Sequence, residues 1–297
     1  MSSFLGCIAL ALVVAWPLGC VLAAETDQDV LVPVPEGLAK QIPPPRAKAE
    51  VEAVLKGADP KAEARPIHVV LVAGAKDHGP GEHDYPAWQK AWATLLALAD
   101  KTKVTTASEK PSADDFKSAD VMVLFKHTAW PKELNKDFED YFARGGGLVV
   151  LHFAVDGAGN HDAVAERIGL CWAGGSKFRH GAVDLAFDAK CDHPIARGFA
   201  GSKVHFEDET YWNLKGDPAR TQLLASAEEK GEPKPIPLLW NVETGKGRVH
   251  VNILGHYNWT FNDPLARVLL LRAIAWAAKE PVDRFNSLVN VGVTLKE

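Results

Sequence analysis

The stretch IHVVLVAGAKDH (67–78) decides how the rest of this chain is read. Its Val/Ile/Leu run carries no alternating polar face, the pattern of a strand buried on both sides in a parallel sheet. The run then gives way to a polar loop that reaches His78. Three further stretches repeat the pattern: VMVLFKH (121–127), GGGLVVLH (145–152) and GKGRVHVNILGH (245–256). In an open parallel sheet, ligands bind in the crevice beyond the carboxyl ends of the strands. His78, His127, His152 and His256 are therefore expected along one rim. One strand-terminal His is commonplace; four together define a candidate site.

Between these strands the period changes. Trp88, Ala91, Trp92, Leu95, Leu96 and Ala99 recur at helical spacing behind Pro86, a favoured first-turn residue. Residues 103–107 read as a short second strand. The strand over 121–126 leads through Pro131 into a helix whose core-facing residues include Leu134, Phe138 and Phe142, stopped by Gly145-Gly146-Gly147. This βαβαβ order implies a parallel sheet with right-handed crossovers.

Region 172–243 is different: strand-like runs at 183–187, 223–226 and 237–242 are broken by Gly, Pro and Asp. A turn at 245–247 joins the last two strands, so an antiparallel extension is expected. A closing helix from 264 to about 279 should lay Leu265, Val268, Leu269, Ile274 and Trp276 on the sheet. The fold class is α/β: a doubly wound, flavodoxin-like, mostly parallel sheet with an antiparallel elaboration.

The 297 residues, 47% of them hydrophobic, suffice for one large core, and a net charge of −5 leaves no footprint for nucleic acid or an anionic membrane. Residues 1–24 read as a signal peptide, with an apolar stretch from Phe4 to Trp16 that is short for a membrane span. Pro17-Leu18-Gly19-Cys20 also resembles an imperfect lipoprotein box, in which case Cys20 carries the lipid and is the only membrane attachment. Either way the expectation is export, to a periplasmic, secreted or lipid-anchored location. Residues 25–66, rich in Pro, Ala, Lys and Glu, form an arm with one short helix over 46–56, and 67–297 form the domain. Cys171 and Cys191 remain after the leader, either bridged or as two buried thiols, and no C-x-x-C spacing suggests a thiolate zinc site.

The loop AKDHGPGEHDYPAWQ (75–89) offers Asp77, His78, Glu82, His83 and Asp84 over the expected crevice. His152 occupies the turn after 148–151, where nucleophile elbows present Ser or Cys. Its presence there argues against an acyl-enzyme and for a general base or metal ligand. In HFEDETYW (205–212), three adjacent acids repel one another unless a cation, a His or a substrate hydroxyl relieves them. GHYNWTFNDP (255–264) sets Trp259 and Phe261 beside His256, aromatics suited to a carbohydrate face. Neutral imidazoles collected with one carboxylate suit zinc or another borderline divalent ion. No phosphate-cradling Ser/Thr-rich loop follows the first strand, so no nucleotide cofactor is expected.

From about 67 to 280 the chain resembles the ThuA-like (trehalose utilisation) family, which shares the class I glutamine amidotransferase-like fold. The resemblance runs in order through the His83-Asp84 loop, GGGLVVLH (145–152), Trp172 to FRHG (178–181), DHPIARGF (192–199), EDETYW (207–212), and Trp240 through GKGRVHVNILGH to Asn262-Asp263-Pro264. The family's recurring polar positions fall on His83, His152, His180, His193, Asp208, Glu209, Tyr211 and His256. His152 stands where the amidotransferase nucleophile would be, so glutaminase activity is not implied.

The resemblance implies a carbohydrate enzyme, acting on disaccharides or keto-sugars. His152 and Glu209 are assigned to catalysis. His83, His180, Asp208, Tyr211, His256 and Trp259 would contact substrate, and His83, His152 and His256 would hold a metal. The expected partner is a sugar or glycoside, with self-association left open. A non-catalytic carbohydrate-binding or scaffolding domain is the alternative.

Overall fold

The computed structural model describes residues 29–59 and 63–297; the expected leader, with Cys20, lies outside them. The strands are β1 (Ile67–Ala73), β2 (Thr102–Ser108), β3 (Val121–Phe125), β4 (Gly147–Leu151), β5 (Leu170–Cys171), β6 (Lys177–Phe187), β7 (Lys203–Trp212), β8 (Lys215–Gly216), β9 (Gln222–Ala227), β10 (Ile236–Thr244) and β11 (Gly247–Asn252). The helices are α1 (Lys48–Leu55), α2 (Tyr85–Ala97), α3 (Ala113–Ser118), α4 (Asn135–Ala143), α5 (His161–Ile168) and α6 (Pro264–Ala277).

All but β5 and β8 join one sheet, in the order β2-β1-β3-β4-β11-β10-β9-β6-β7. The first five are parallel. Counting β11 as the fifth strand of that set, this is the flavodoxin-like order, with its switch point between β1 and β3. From β10 outward every pairing is antiparallel. The parallel strands β1, β3 and β4 are buried at every residue, the property that makes their sequences uniformly apolar.

Local chemistry places the helices. Asp84 caps α2 by accepting from the Ala87 amide, with Pro86 in the first turn. Ser112 and Asp115 form a reciprocal capping box at α3, a helix too short to show a period and not foreseen from sequence. Gly145, at φ +95°, turns the chain from α4 into β4.

Every residue of α6 is buried, including Arg267 and Arg272. These two arginines explain how the arm is held. Arg267 donates to the carbonyls of Phe261, Val291 and Val30 at 3.0, 2.7 and 3.0 Å. Arg272 donates to Arg197 and Val54 at 2.6 and 3.0 Å. Burial pulls both guanidinium pKa values down to about 10, leaving them charged at neutral pH. Val30, Val32, Val51 and Val54 join the core, so the described part of the arm, including α1, is a layer of the fold. Cys171 and Cys191 are both free.

Candidate active site

Four side chains converge beyond the carboxyl ends of the parallel strands. His83 comes from the loop after β1, His152 from the turn after β4, His256 from the loop after β11, and Glu209 from β7. His83 Nε2 lies 2.8 Å from His152 Nε2 and 3.0 Å from His256 Nδ1. Glu209 Oε2 lies 3.1 Å from His152 Nε2 and 3.0 Å from His256 Nδ1. All four residues are buried, and their ligand atoms lie within 4.8 Å of one another.

The backbone works to hold this arrangement. His83 and His152 sit in the left-handed region, at φ +40° and +51°, which is costly for a side chain bearing Cβ and is found where the surroundings over-determine a site. The His83 amide donates to the His256 carbonyl at 3.0 Å, tying the first loop to the last. Asp208, fully buried, accepts from the amides of Gly255 and His256 at 3.0 and 2.9 Å and from the Thr260 hydroxyl at 2.5 Å. It thereby fixes His256 through the main chain. The arm braces the same loop: Asn262 exchanges two hydrogen bonds with the Val32 backbone, at 2.9 and 2.8 Å.

The second ring nitrogens are also committed. His152 Nδ1 donates to the Ile253 carbonyl at 2.7 Å. His83 Nδ1 lies 2.9 Å from Asp77 Oδ1 and 2.9 Å from the Tyr85 hydroxyl. Such outer partners set the tautomer and aim the other nitrogen inward. His256 Nε2 is buried without a hydrogen-bond partner, the nearest carboxylate being Glu82 at 3.8 Å.

Electrostatics follow from burial and pairing. Burial, reinforced by the neighbouring imidazoles of His152, His256 and His78, pushes His83 far below its ordinary value. For Glu209, burial favours the neutral acid, but the adjoining His152 and His256 imidazoles outweigh it and hold the carboxyl well below its usual range. His256 is likewise opposed by burial but raised by Glu209. Burial drives the Tyr211 hydroxyl well above its ordinary value, with Glu209 adding to the effect, so Tyr211 keeps its proton. That hydroxyl lies 2.9 Å from His152 Nε2 and 3.0 Å from Glu209 Oε2.

The site opens through a less buried shell. His180 Nε2 reaches Glu209 Oε1 at 3.1 Å, and its Nδ1 lies 3.0 Å from the Tyr257 hydroxyl. Asp77 also binds His78 at 2.8 Å and faces His127 at 3.6 Å, so the first expected rim histidines meet the centre through one carboxylate. Each acid of 207–209 finds its own relief: Glu207 with His205, Asp208 with backbone amides, Glu209 with imidazoles.

Two sequence candidates lie elsewhere. His193 pairs with Asn241, away from this cluster. Trp259 stacks on Tyr257 with ring centroids 4.2 Å apart and lines a separate cleft of about 360 Å³ beside Pro43, Pro44, Arg46 and Val293. Its indole donates to the Glu207 carbonyl, so it braces the site wall from behind.

A family model for trehalose utilisation, ThuA, matches residues 69–277. The chain belongs to the ThuA family. Among solved structures, a ThuA-like protein from Parabacteroides merdae shares 23% identity, covering 72% of this chain and 90% of its own, with a TM-score of 0.57. A second, from Bacteroides uniformis, shares 19% identity over 74% of this chain and 94% of its own, also with a TM-score of 0.57. At these identities the likeness to ThuA-like structures is one of fold. No curated protein matches the chain.

In this ThuA-family site, Tyr85, Tyr257 and Phe153 are contributors that sequence reasoning did not single out, and Trp172 one that it named only within a family motif. Tyr85 and Tyr257 stand within two residues of His83 and His256, a local signal that could have drawn attention to them. Phe153 carried no such signal; its ring meets that of Trp172 at 5.8 Å only in the fold.

Proposed function

We propose that this ThuA-family protein is an exported, carbohydrate-active enzyme whose centre is a divalent metal ion of zinc type held by His83, His152, His256 and Glu209. One observation carries the reading. The Ile253 carbonyl can only accept, so His152 Nδ1 bears the proton; Asp77 requires the same of His83. Both Nε2 atoms then present lone pairs to each other at 2.8 Å, beside an anionic carboxylate oxygen. That arrangement repels itself unless a proton or a metal cation sits among the donors, and four converging donors favour the metal. Imidazole nitrogens with one carboxylate are a donor set suited to zinc, and the Asp77–His83 and Ile253–His152 pairs are the outer-shell partners such ligands use.

When bound, the ion would polarise a substrate oxygen. The chain's own groups supply the rest. Tyr211 holds a proton within reach of the same centre, while Glu209 stays ionised and pairs with His180, whose imidazole can take or give a proton at the rim. These roles suit proton abstraction beside a sugar carbonyl, or hydrolysis of a glycosidic bond. A non-catalytic carbohydrate binder is the second reading, favoured by the presence of four protein donors, the complement of a closed structural site.

Elemental analysis and calorimetric titration with Zn²⁺, Mn²⁺ and Co²⁺ test the proposal. Wild type should hold about one equivalent, and His152→Ala and Glu209→Gln should each lose it while their thermal melts remain cooperative. A wild-type protein that takes up no divalent ion removes the metal from the reading.

A further inference from the structure

The proposed centre is buried, with no donor side chain more than 6% exposed, so an ion has to be handed inward from the surface. The loop after β1 carries donors beside it that are open to solvent. Asp77, Glu82 and His78 are 29, 30 and 41% exposed. Asp77 Oδ1 lies 2.8 Å from His78 Nδ1 and 2.9 Å from His83 Nδ1. Asp77, His78 and His83 offer donor atoms within 4.8 Å of one another, a second group able to hold a cation, and His83 belongs to both groups.

His256 repeats that double membership. Its Nδ1 faces His83 Nε2 and Glu209 Oε2 in the centre. Its Nε2, buried and without a hydrogen bond, lies 3.8 Å from Glu82 on the loop side. The His78 ring stands 3.8 Å from that of His83 and 5.6 Å from that of His256, centroid to centroid. His83 and His256 thus form a wall with a nitrogen on each side, the centre behind it and Asp77, His78 and Glu82 before it. The front is acidic, which concentrates cations there. Lys76, the only Lys or Arg in AKDHGPGEHDY (75–85), is committed to the carbonyls of Gly79 and Glu82 rather than to a carboxylate.

A neutral imidazole carries one proton and one free lone pair. An ion at the front takes the His83 Nδ1 lone pair and leaves the proton on Nε2. An ion in the centre takes Nε2, and the same proton then stands on Nδ1 toward Asp77. The two groups are therefore successive stations for one ion, not places for two ions side by side.

We propose that Asp77 and His78 form a surface capture site for a divalent ion, which passes from there to His83, His152, His256 and Glu209. This rests on the metal reading above and adds to it the route by which the ion enters and leaves. His78 is the residue specific to capture, because Asp77 also orients His83. Reversibility gives the proposal its signature. A station on the path lowers the barrier in both directions, so removing it slows uptake and release alike and leaves affinity unchanged. Losing a ligand of the final centre instead speeds release and weakens binding.

Stopped-flow mixing of metal-free protein with Co²⁺, and of loaded protein with excess chelator, reads the two rates. His78→Ala should slow both about tenfold, with the dissociation constant and the thermal melt unchanged. His78→Asp, which restores a donor, should recover most of the speed. A second measurement addresses the outer group by itself. In His152→Ala, which lacks the centre, Co²⁺ should still bind weakly, with paramagnetic NMR shifts at His78, and the double variant with His78→Ala should bind none.

Unchanged rates in His78→Ala overturn the capture site and leave the centre standing. So does faster release with weaker binding, which would make His78 a ligand of the final centre. A wild type that takes up no ion tightly, yet keeps the weak site that needs His78, removes the centre and the passage inward while the outer group stays. Absence of both kinds of binding overturns both.

Discussion

The two halves of the sheet contribute different chemistry to one hollow. The parallel half, β2-β1-β3-β4-β11, delivers imidazoles on loops that leave strand ends: His83, His152 and His256. The antiparallel half delivers Glu209, Tyr211 and His180 from within strands, at alternate positions of the β6–β7 ladder. Loops after buried strands can bend a side chain inward at the cost of strain, which two of the three histidines display in their positive φ. A strand cannot bend so freely, but its period of two sets several groups in register on one face at no conformational cost. The site is thus a set of loop-borne imidazoles closed against a strand-borne row of Glu209, Tyr211 and His180.

The largest expected effect comes from cutting the tie between these halves. Asp208 belongs to the antiparallel half, yet its carboxylate holds the amides of Gly255 and His256 in the parallel half and the Glu209 amide at 2.7 Å. Asp208→Ala strands these buried amides together with the Thr260 hydroxyl. The expected cost is on the order of 3–5 kcal/mol, the range for breaking a buried charged network from one side. Urea unfolding measures it. Asp208→Asn, which keeps one acceptor, should recover part of the loss. A cost near zero for Asp208→Ala would mean that the two halves hold together without this residue.

The same contrast explains what could be read from sequence. β1, β3 and β4 are buried on both faces, so their sequences are unbroken apolar runs, and the residue that follows each one is conspicuous. β6 begins and β7 ends with one face in the site, so KFRHG and EDETYW mix aromatic, basic and acidic residues and only 183–187 looked like a strand. Functional residues erased the very pattern by which the strand would be recognised. His83, His152 and Glu209 were legible because their types suit a centre. The role of Asp77 was not, because five polar groups crowd its loop and only three-dimensional placement shows which one receives His83. The arm was legible as a segment but not as a layer. Its anchoring depends on Arg267 and Arg272, which sit in an apolar helix and meet the carbonyls of Val30 and Val54 only after folding.

A second effect sharpens the division of labour within the parallel half. Asp77 touches no shared donor atom directly, but it fixes His83 through Nδ1 at 2.9 Å. Asp77→Ala should weaken metal affinity by about 10–100-fold without abolishing it, the usual cost of losing an outer-shell carboxylate. Competition with a chromogenic chelator gives the ratio. A loss as complete as that of His152→Ala would move Asp77 from orienting His83 to holding the ion itself.

The smallest effect at neutral pH, and one that grows with acid, tests the seam between the halves. His250 on β11 faces Asn241 on β10 at 2.8 Å, and Asn241 meets His193 at 3.1 Å. Burial lowers His250 to about 3, with the charge of His193 adding to the shift. Burial, aided by Arg248 and opposed by Asp192, lowers His193 to about 4. Unfolded imidazoles titrate near 6.5, so below that pH the unfolded chain binds protons that the folded chain refuses. Stability from this pair is therefore fully present above about pH 6.5 and drains away as pH falls toward 3. Carboxylates titrate over part of the same window, so the informative quantity is a difference between proteins. His250→Asn, compared with wild type by urea unfolding from pH 7 to 4, should show a shallower decline even if it starts less stable. Parallel declines would mean that the seam admits protons on His250 without opening.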